Sequence, residues 1–216
     1  MDIESLALRG AWFAHLPPPL RAALLRAGRA VRLDAGQWVY GEGDEETGVV
    51  LVLSGALRIE ASAGRERDVL VNLLPAGTAF GQSRRGGGGP RIVTARAAGA
   101  ATVLLIADAA LERIAADHPS LWRGVSELVY GQLDAMVRLA AQMLALGPRA
   151  RIAARLLALG SDGVARVNQS DLAEMCGLSR KAASAHLAAL EASGAIARGY
   201  GRIEVKDAAT LRRMAG

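Results

Sequence analysis

Arg180 and Lys181 open the run Arg180-Lys181-Ala182-Ala183-Ser184-Ala185-His186-Leu187-Ala188-Ala189-Leu190, in which Ala183, Leu187 and Leu190 recur at steps of four and three. On a helix that spacing turns the three toward a core and leaves Arg180, Lys181, Ser184, Ala185 and Ala188 on another face. Small side chains let a helix backbone sink into the major groove of DNA, where Arg or Lys bonds guanine O6/N7 or a phosphate. The helix N-terminus, with the Ser179 hydroxyl, adds a favourable phosphate site. Positive charge there lies at the disfavoured end of the macrodipole, so a ligand accounts for it better than solvent does. Downstream, Arg198, Tyr200 and Arg202 surround Gly199 and Gly201, where a hairpin tip would grip a nucleic-acid backbone or simply form hairpin surface.

Other chemistries find no residues to carry them. Cys176 is the single cysteine, which excludes an internal disulfide, a four-cysteine zinc site and an iron–sulfur cluster. The three histidines, His15, His118 and His186, lie outside the strand-rich stretch. No Ser/His/Asp set and no metal-ligand spacing occurs, so neither an enzyme nor a metal protein is expected. Cys176 reads as a small buried filler, with oxidation beside the basic helix as the alternative. His186, beside Leu187, reads as a packing residue.

These residues sit in a chain of 216 that is 51% hydrophobic and 22% charged, enough to bury a core. The start, Met1-Asp2-Ile3-Glu4, is acidic where a signal peptide is basic, and the longest apolar run, Ala97 to Ala107, is too short to span a membrane. A cytoplasmic protein without a membrane partner is expected. The net charge of +5 is unevenly placed: residues 1–146 hold 15 basic and 15 acidic side chains, whereas residues 147–216 hold 11 and 6. A neutral body joined to a compact basic module suggests a sensor or scaffold attached to something that meets a polyanion.

Three textures follow one another along the chain. Short helices surround Pro17-Pro18-Pro19. From Val31 to about Ile106, glycine turns separate short apolar runs that read as strands: Val31-Arg32-Leu33, Trp38-Val39-Tyr40, Val49 to Leu53, Leu57-Arg58-Ile59, Val69 to Leu74, Ile92-Val93 and Thr102 to Ile106. Many short strands at such intervals indicate a β-sandwich or roll. Beyond Pro119, Val125, Val129, Gln132, Met136, Leu139, Met143 and Leu146 alternate in steps of four and three, a heptad seam. The same stripe would serve a helix packed on its own domain; its length of nearly four heptads, with Gln132 as the one polar interruption, favours a two-chain coiled coil and a homodimer. After Gly147-Pro148 come a helix to Leu159, the turn Ser161-Asp162-Gly163, a short helix capped by Asn168 and stopped at Gly177, a second capped by Ser179, and a hairpin from Ile196 to Val205.

The stretch Val167-Asn168-Gln169-Ser170-Asp171-Leu172-Ala173-Glu174-Met175-Cys176-Gly177-Leu178-Ser179-Arg180, followed by Leu187-Ala188-Ala189-Leu190-Glu191, resembles the winged helix-turn-helix of the Crp/Fnr family of bacterial transcription regulators. Leu33-x-x-Gly36, Gly43-Asp44 and Val52-Leu53-Ser54-Gly55-Ala56-Leu57 resemble that family's β-roll. The resemblance implies an α+β fold: an N-terminal β-roll (a cupin-like double-stranded sandwich) over residues 1–118, a long dimerisation helix over 119–146, and a winged helix-turn-helix over 147–216. It implies a homodimeric regulator of double-stranded DNA that reads a two-fold pair of half-sites, with RNA polymerase as partner if it activates. The expected DNA contacts are Asn168, Gln169, Ser170, Ser179, Arg180, Lys181, Ser184, Ala185, Arg198, Tyr200 and Arg202.

Departures from the family pattern concern the effector and the operator. Members that bind cyclic AMP hold it with a glycine-glutamate pair and an arginine-serine pair. Gly81 and Arg91 match, but Gln82 replaces the glutamate and Ile92 the serine, and the polar pair that meets adenine aligns with Met136 and Val137. Gly81, Gln82, Arg91, Ile92, Gln132 and Met136 are the candidate effector residues. With half the cassette missing no cofactor is expected, and a cyclic nucleotide remains the alternative ligand, since Arg91 suits a phosphate. Arg84-Arg85-Gly86-Gly87-Gly88-Gly89-Pro90 reads as a mobile loop, or as a phosphate cradle through its amides. On the second helix Lys181 and Ala185 stand where the family places a glutamate and an arginine, so the half-site should differ from the common ones. The rival function is a cyclic-nucleotide-binding signalling module acting through a protein partner.

Overall fold

The computed structural model describes residues 2–64, 68–160 and 162–216. Ser161, expected in a turn, lies outside them. The chain folds as two compact units, Met1–Asp68 with Asn72–Asp134, and Val69–Val71 with Ala135–Gly216.

In the first unit three short helices, α1 (Ile3–Ala7), α2 (Ala11–His15) and α3 (Pro18–Ala27), precede eight strands. Pro18 starts α3, where its missing N–H leaves no bond unmade. The strands are β1 (Arg29–Leu33), β2 (Trp38–Tyr40), β3 (Gly48–Ser54), β4 (Ala56–Ser62), β5 (Asp68–Pro75), β6 (Ala79–Gln82), β7 (Thr94–Ala97) and β8 (Ala101–Ala107). They form two four-stranded sheets, ordered β1-β8-β3-β6 and β2-β7-β4-β5. The antiparallel β3 and β8 pair along Gly48–Ala107 to Val52–Val103 at the middle of the first sheet.

The first sheet is buried on both faces, which explains the unbroken apolar run of β3. Val50 and Val52 join Leu57, Ile59, Phe80, Ala95, Ala97 and Val103 in a core inside the roll. Val49, Leu51 and Leu53 join Leu104, Ile106 and the helical residues Phe13, Leu20, Leu24, Leu111 and Leu121 in a second core. One strand expectation is corrected. Ile92-Val93 is not a strand, and Ile92 is exposed; the strand begins at Thr94, after Arg91 has bonded through its backbone to Gly43 and Asp44. β6 carried no expectation, because Ala79-Phe80-Gly81-Gln82 has neither alternation nor an apolar run.

Helix α4 (Asp108–Asp117) leads to α5 (Leu121–Ala145), which runs through the division between the units. Within the single chain, the residues of the expected seam are buried unequally. Val125, at the head of that seam, is only 4% exposed and lies in the core with Leu121 and Leu128. Gln132, Leu139, Met143 and Leu146 are half-buried, and of the seven seam residues only Val129 and Met136 are exposed. Also exposed are Tyr130, Leu133, Val137, Ala140 and Leu144, again in steps of three and four. That stripe is offset by one position, about 100° around the helix.

The second unit contains α6 (Pro148–Leu159), β9 (Val164–Ala165), α7 (Gln169–Met175), α8 (Arg180–Ala192), β10 (Ile196–Gly199), β11 (Arg202–Val205) and α9 (Ala208–Ala215). β9 and α9 carried no expectation. β9 makes the wing three-stranded, ordered β10-β11-β9, and α9 packs against α6.

Candidate nucleic-acid interface and effector cassette

The short helix and the longer one after it are set locally. Asn168 accepts from the Asp171 N–H at 2.8 Å, and its side-chain amide donates to the Asp171 carboxylate at 3.0 Å, so Asp171 braces the cap residue itself. Ser179 accepts from the Ala182 N–H at 3.2 Å and starts α8. Between the helices Gly177 takes φ +64°, and a Cβ there would come 3.1 Å from Met143 Cε. The turn therefore needs glycine for its left-handed backbone, while the methionine side chain has room to yield. Ala183, Leu187 and Leu190 are buried, as are Leu172, Ala173, Met175 and Cys176. This locks α8 in rotation, with Arg180, Lys181, Ala185 and Ala188 exposed and Ser184 and His186 half-exposed.

Charge on this surface falls into two classes. Arg180 and Lys181 stand on the exposed head of α8, Asn168 and Gln169 are exposed at the head of α7, and Ser170 is half-buried. In the wing, Tyr200 is fully exposed at the tip and Arg202 lies 3.6 Å from Glu204, which Lys206 also contacts at 2.7 Å. Arg198 differs from the expected outward grip. Its backbone N–H and its guanidinium are bonded to Glu191 on α8, and the guanidinium beside it holds the Glu191 carboxyl below the usual carboxylate range. Cys176 is fully buried, and burial pushes its thiol up to about 11, with Arg155 and Arg151 acting weakly the other way. An unreactive filler fits that environment better than a redox sensor.

Of the candidate effector residues, Gly81, Gln82, Arg91 and Ile92 lie in the roll and Gln132 reaches Gly81 from α5, and the polar side chains among them bond to backbone groups of the chain. Arg91 is 7% exposed, stacks 4.1 Å above the Tyr40 ring, and donates to the carbonyls of Glu46 at 3.0 Å and Gly48 at 3.3 Å. Desolvation lowers its pKa, with Tyr40, Asp108 and Asp44 opposing. The Gln82 amide donates to the carbonyls of Gly89 and Pro90. Gln132 exchanges two hydrogen bonds with the Gly81 backbone. The glycine loop is similarly tied: Gly86 and Gly88 donate to Ser83 O and Gly87 to Arg84 O, so three of its four consecutive amides face inward bonds. Arg84 pairs with Glu45, and the Arg84 N–H donates to Asp108 at 2.9 Å. The loop is a short 3-10 turn, Arg84–Gly86, closed onto the roll and not an open cradle. Ile92 offers only an exposed apolar side chain, and Met136 lies on the solvent side of α5. Among the described residues no group of three or more His, Cys, Asp or Glu side chains could hold a metal ion.

Comparison with known proteins bears on both halves. Residues 150–214 match the Crp-like helix-turn-helix domain and residues 30–118 the cyclic nucleotide-binding domain. The nitrogen fixation regulation protein FixK of Bradyrhizobium diazoefficiens is 31% identical over 200 residues, covering 87% of this chain and 82% of the relative. The chain belongs to the Crp/Fnr family. The HTH-type transcriptional regulator Cmr of Mycobacterium tuberculosis is 31% identical over 181 residues, 83% of this chain and 73% of that protein. In fold the chain is similar to FixK2 from Bradyrhizobium japonicum, with a TM-score of 0.79, 19% identity, and coverage of 88% of this chain and 98% of that one.

As a Crp/Fnr member the protein is a DNA-binding transcription regulator and not an enzyme, and the rival signalling module is not favoured. Sequence reasoning missed Glu191, Glu46, Gly48 and Tyr40, the partners of the two arginines. Only the Gly48 position carried any signal, a glycine at the start of an apolar run, where φ is +140° and a Cβ would strike Ile106 O at 2.2 Å.

Proposed function

We propose that this Crp/Fnr regulator works in the cytoplasm as a homodimer on a two-fold-symmetric operator, without cyclic AMP as its effector, and with RNA polymerase as partner where it activates. The observation that carries the dimer is the solvent stripe of α5, on which Leu133 and Leu144 are 54% and 89% exposed. Tyr130, Leu133, Val137, Ala140 and Leu144 keep heptad spacing through more than two heptads, a stripe that a second copy of the helix covers in register. Two copies of α8 related by a two-fold axis then present Arg180 and Lys181 to successive major-groove faces.

The reading against cyclic AMP rests on Arg91. Three of its five guanidinium N–H groups are committed to the carbonyls of Glu46 and Gly48, which leaves one N–H on each terminal nitrogen for any other partner. The decisive experiment is selection of bound duplexes from a random DNA pool by the full chain, with and without cyclic AMP and cyclic GMP, alongside sedimentation of the free protein. A palindromic consensus recovered equally in all arms by a dimer is expected. A monomeric chain, or a consensus that emerges only with a nucleotide, overturns the reading.

A further inference from the structure

Seven residues apart, Glu191 and Arg198 join two elements that meet DNA by different means. Glu191 lies in the last turn of α8, and Arg198 in β10 pairs with Ile203 of β11. One carboxylate oxygen accepts from the Arg198 backbone N–H at 2.9 Å; the other accepts from Arg198 Nε at 2.8 Å and forms an ion pair with Nη2 at 2.6 Å. The side chains are 38% and 28% exposed, so as a surface ion pair this contact contributes little to global stability. Its geometry does something else. A carboxylate that holds both the backbone and the guanidinium of one strand residue fixes the hairpin, one pair short of its turn, against the end of the recognition helix.

We propose that Glu191 and Arg198 form a latch that sets the angle of the wing, and that Arg202 at the tip is the residue the latch delivers to a phosphate. The proposal rests on the reading that the wing meets DNA. Arg198 is then a positioning residue, because the Nε side of its guanidinium is committed to the Glu191 carboxylate, whose charge offsets its own. Arg202 is free of such a commitment. Its close acid among the described residues, Glu204 at 3.6 Å, is nearer to Lys206, and the Arg202 side chain is 61% exposed at the start of β11, directly after the turn at Tyr200-Gly201.

The sign of one substitution separates the latch from its rival. A carboxylate at the DNA face repels phosphates, so if Arg198 were itself a phosphate ligand, Glu191→Gln would free the guanidinium, remove the repulsion and tighten binding. If the pair is a latch, Glu191→Gln weakens binding. The test uses the full chain and a fluorescent duplex carrying the sequence enriched from a random pool, with affinity titrated from about 50 to 200 mM salt. Glu191→Gln, Arg198→Ala and Arg202→Ala are made singly and in pairs, with thermal melting to show each is folded.

Expected is a loss of roughly threefold to tenfold for each single variant, each lowering the salt slope by about one, the signature of a single lost phosphate contact. The pairs should be no worse than the singles, because all three changes remove the same contact. An Arg198→Ala effect that adds to that of Arg202→Ala, or a Glu191→Gln chain that binds as well as or better than the parent, overturns the latch while leaving the wing on DNA. An unchanged salt slope for Arg202→Ala removes the wing from DNA altogether, and the latch with it. An Arg198→Lys chain adds a check that a generic loss of packing would not meet. Lysine restores a phosphate ligand but not the Nε/Nη2 fork, so the latch reading expects it to resemble Arg198→Ala.

Discussion

Gln132 and Gly81 complete one another: the Gly81 N–H donates to Gln132 Oε1 at 3.2 Å, and Gln132 Nε2 donates to the Gly81 carbonyl at 2.9 Å. The side-chain amide does for Gly81 what a neighbouring strand would do, at the edge of the sheet where β6 has no further partner. Gly81 has no substitute there, since its φ is +139° and a Cβ would fall 2.2 Å from Gly48 O. Gln132→Leu leaves both backbone groups unpaired and should lower stability by about 1–3 kcal/mol, measured by chemical denaturation. Gln132→Glu, which keeps the acceptor and loses the donor, should fall between the two.

Arg91 makes a prediction about ligands as well as stability. Arg91→Ala strands the carbonyls of Glu46 and Gly48 and uncovers the Tyr40 ring. Loss of charge-assisted bonds of this kind costs about 1.5–3 kcal/mol each, so a clear fall in Tm is expected. The parent's Tm should not rise with millimolar cyclic AMP, because a ligand that binds only the folded state must stabilise it. A saturable rise would return Arg91 to an effector role.

The exposed stripe of α5 predicts where the dimer breaks. Leu133→Asp or Val137→Asp buries an unpaired charge in a two-chain seam and should yield monomers by sedimentation, whereas Val125→Ala should lower the stability of the single chain instead. An aspartate at 133 that leaves the dimer intact would move the seam elsewhere.

On DNA, Arg180→Ala should relax preference at one base position at a cost of ~1–3 kcal/mol, while Arg202→Ala should weaken all duplexes about equally. Competition between the selected site and scrambled duplexes distinguishes the two. If Arg180→Ala retains the parent's ranking of sites, base readout lies with other residues of α8.

The buried thiol supplies a pH dependence with a definite sign. The folded pKa of Cys176, about 11, is above its usual value of 9.0, so the folded state holds its proton more tightly than the unfolded one. This contribution is fully present below about pH 9 and is lost as pH rises through the folded value. Denaturation between pH 8 and 11 should show that decline, and Cys176→Ala should reduce it. At pH 8, iodoacetamide should modify the native thiol only at the rate of unfolding.

Much of this architecture was legible because its signals are local. Asn168, Gly177 and Ser179 act on amides and dihedral angles within three residues of themselves, so the helix-turn-helix is written in its own stretch of chain. The apolar runs of β3 and β8 likewise announce strands buried on both faces. The roles of long polar side chains were not legible in the same way. Arg91 lies more than forty residues from the carbonyls it holds, and Gln132 about fifty from Gly81. An arginine fitted to a phosphate is equally fitted to a carbonyl, and sequence separation hides which one lies within reach.

Helix α5 shows the division most plainly. Its sequence alone determined that the helix is long, amphipathic and heptad-spaced. But two stripes one position apart both satisfy that spacing, and a pattern of apolar residues has no means of saying which stripe its own chain will cover. Packing Leu121, Val125 and Leu128 into the core set the rotation, and the turn of about 100° between the stripes placed Tyr130, Leu133, Val137 and Leu144 in solvent. The elements and their caps come from interactions among near neighbours; which face, which partner and which arginine remains available were decided only when distant segments came together.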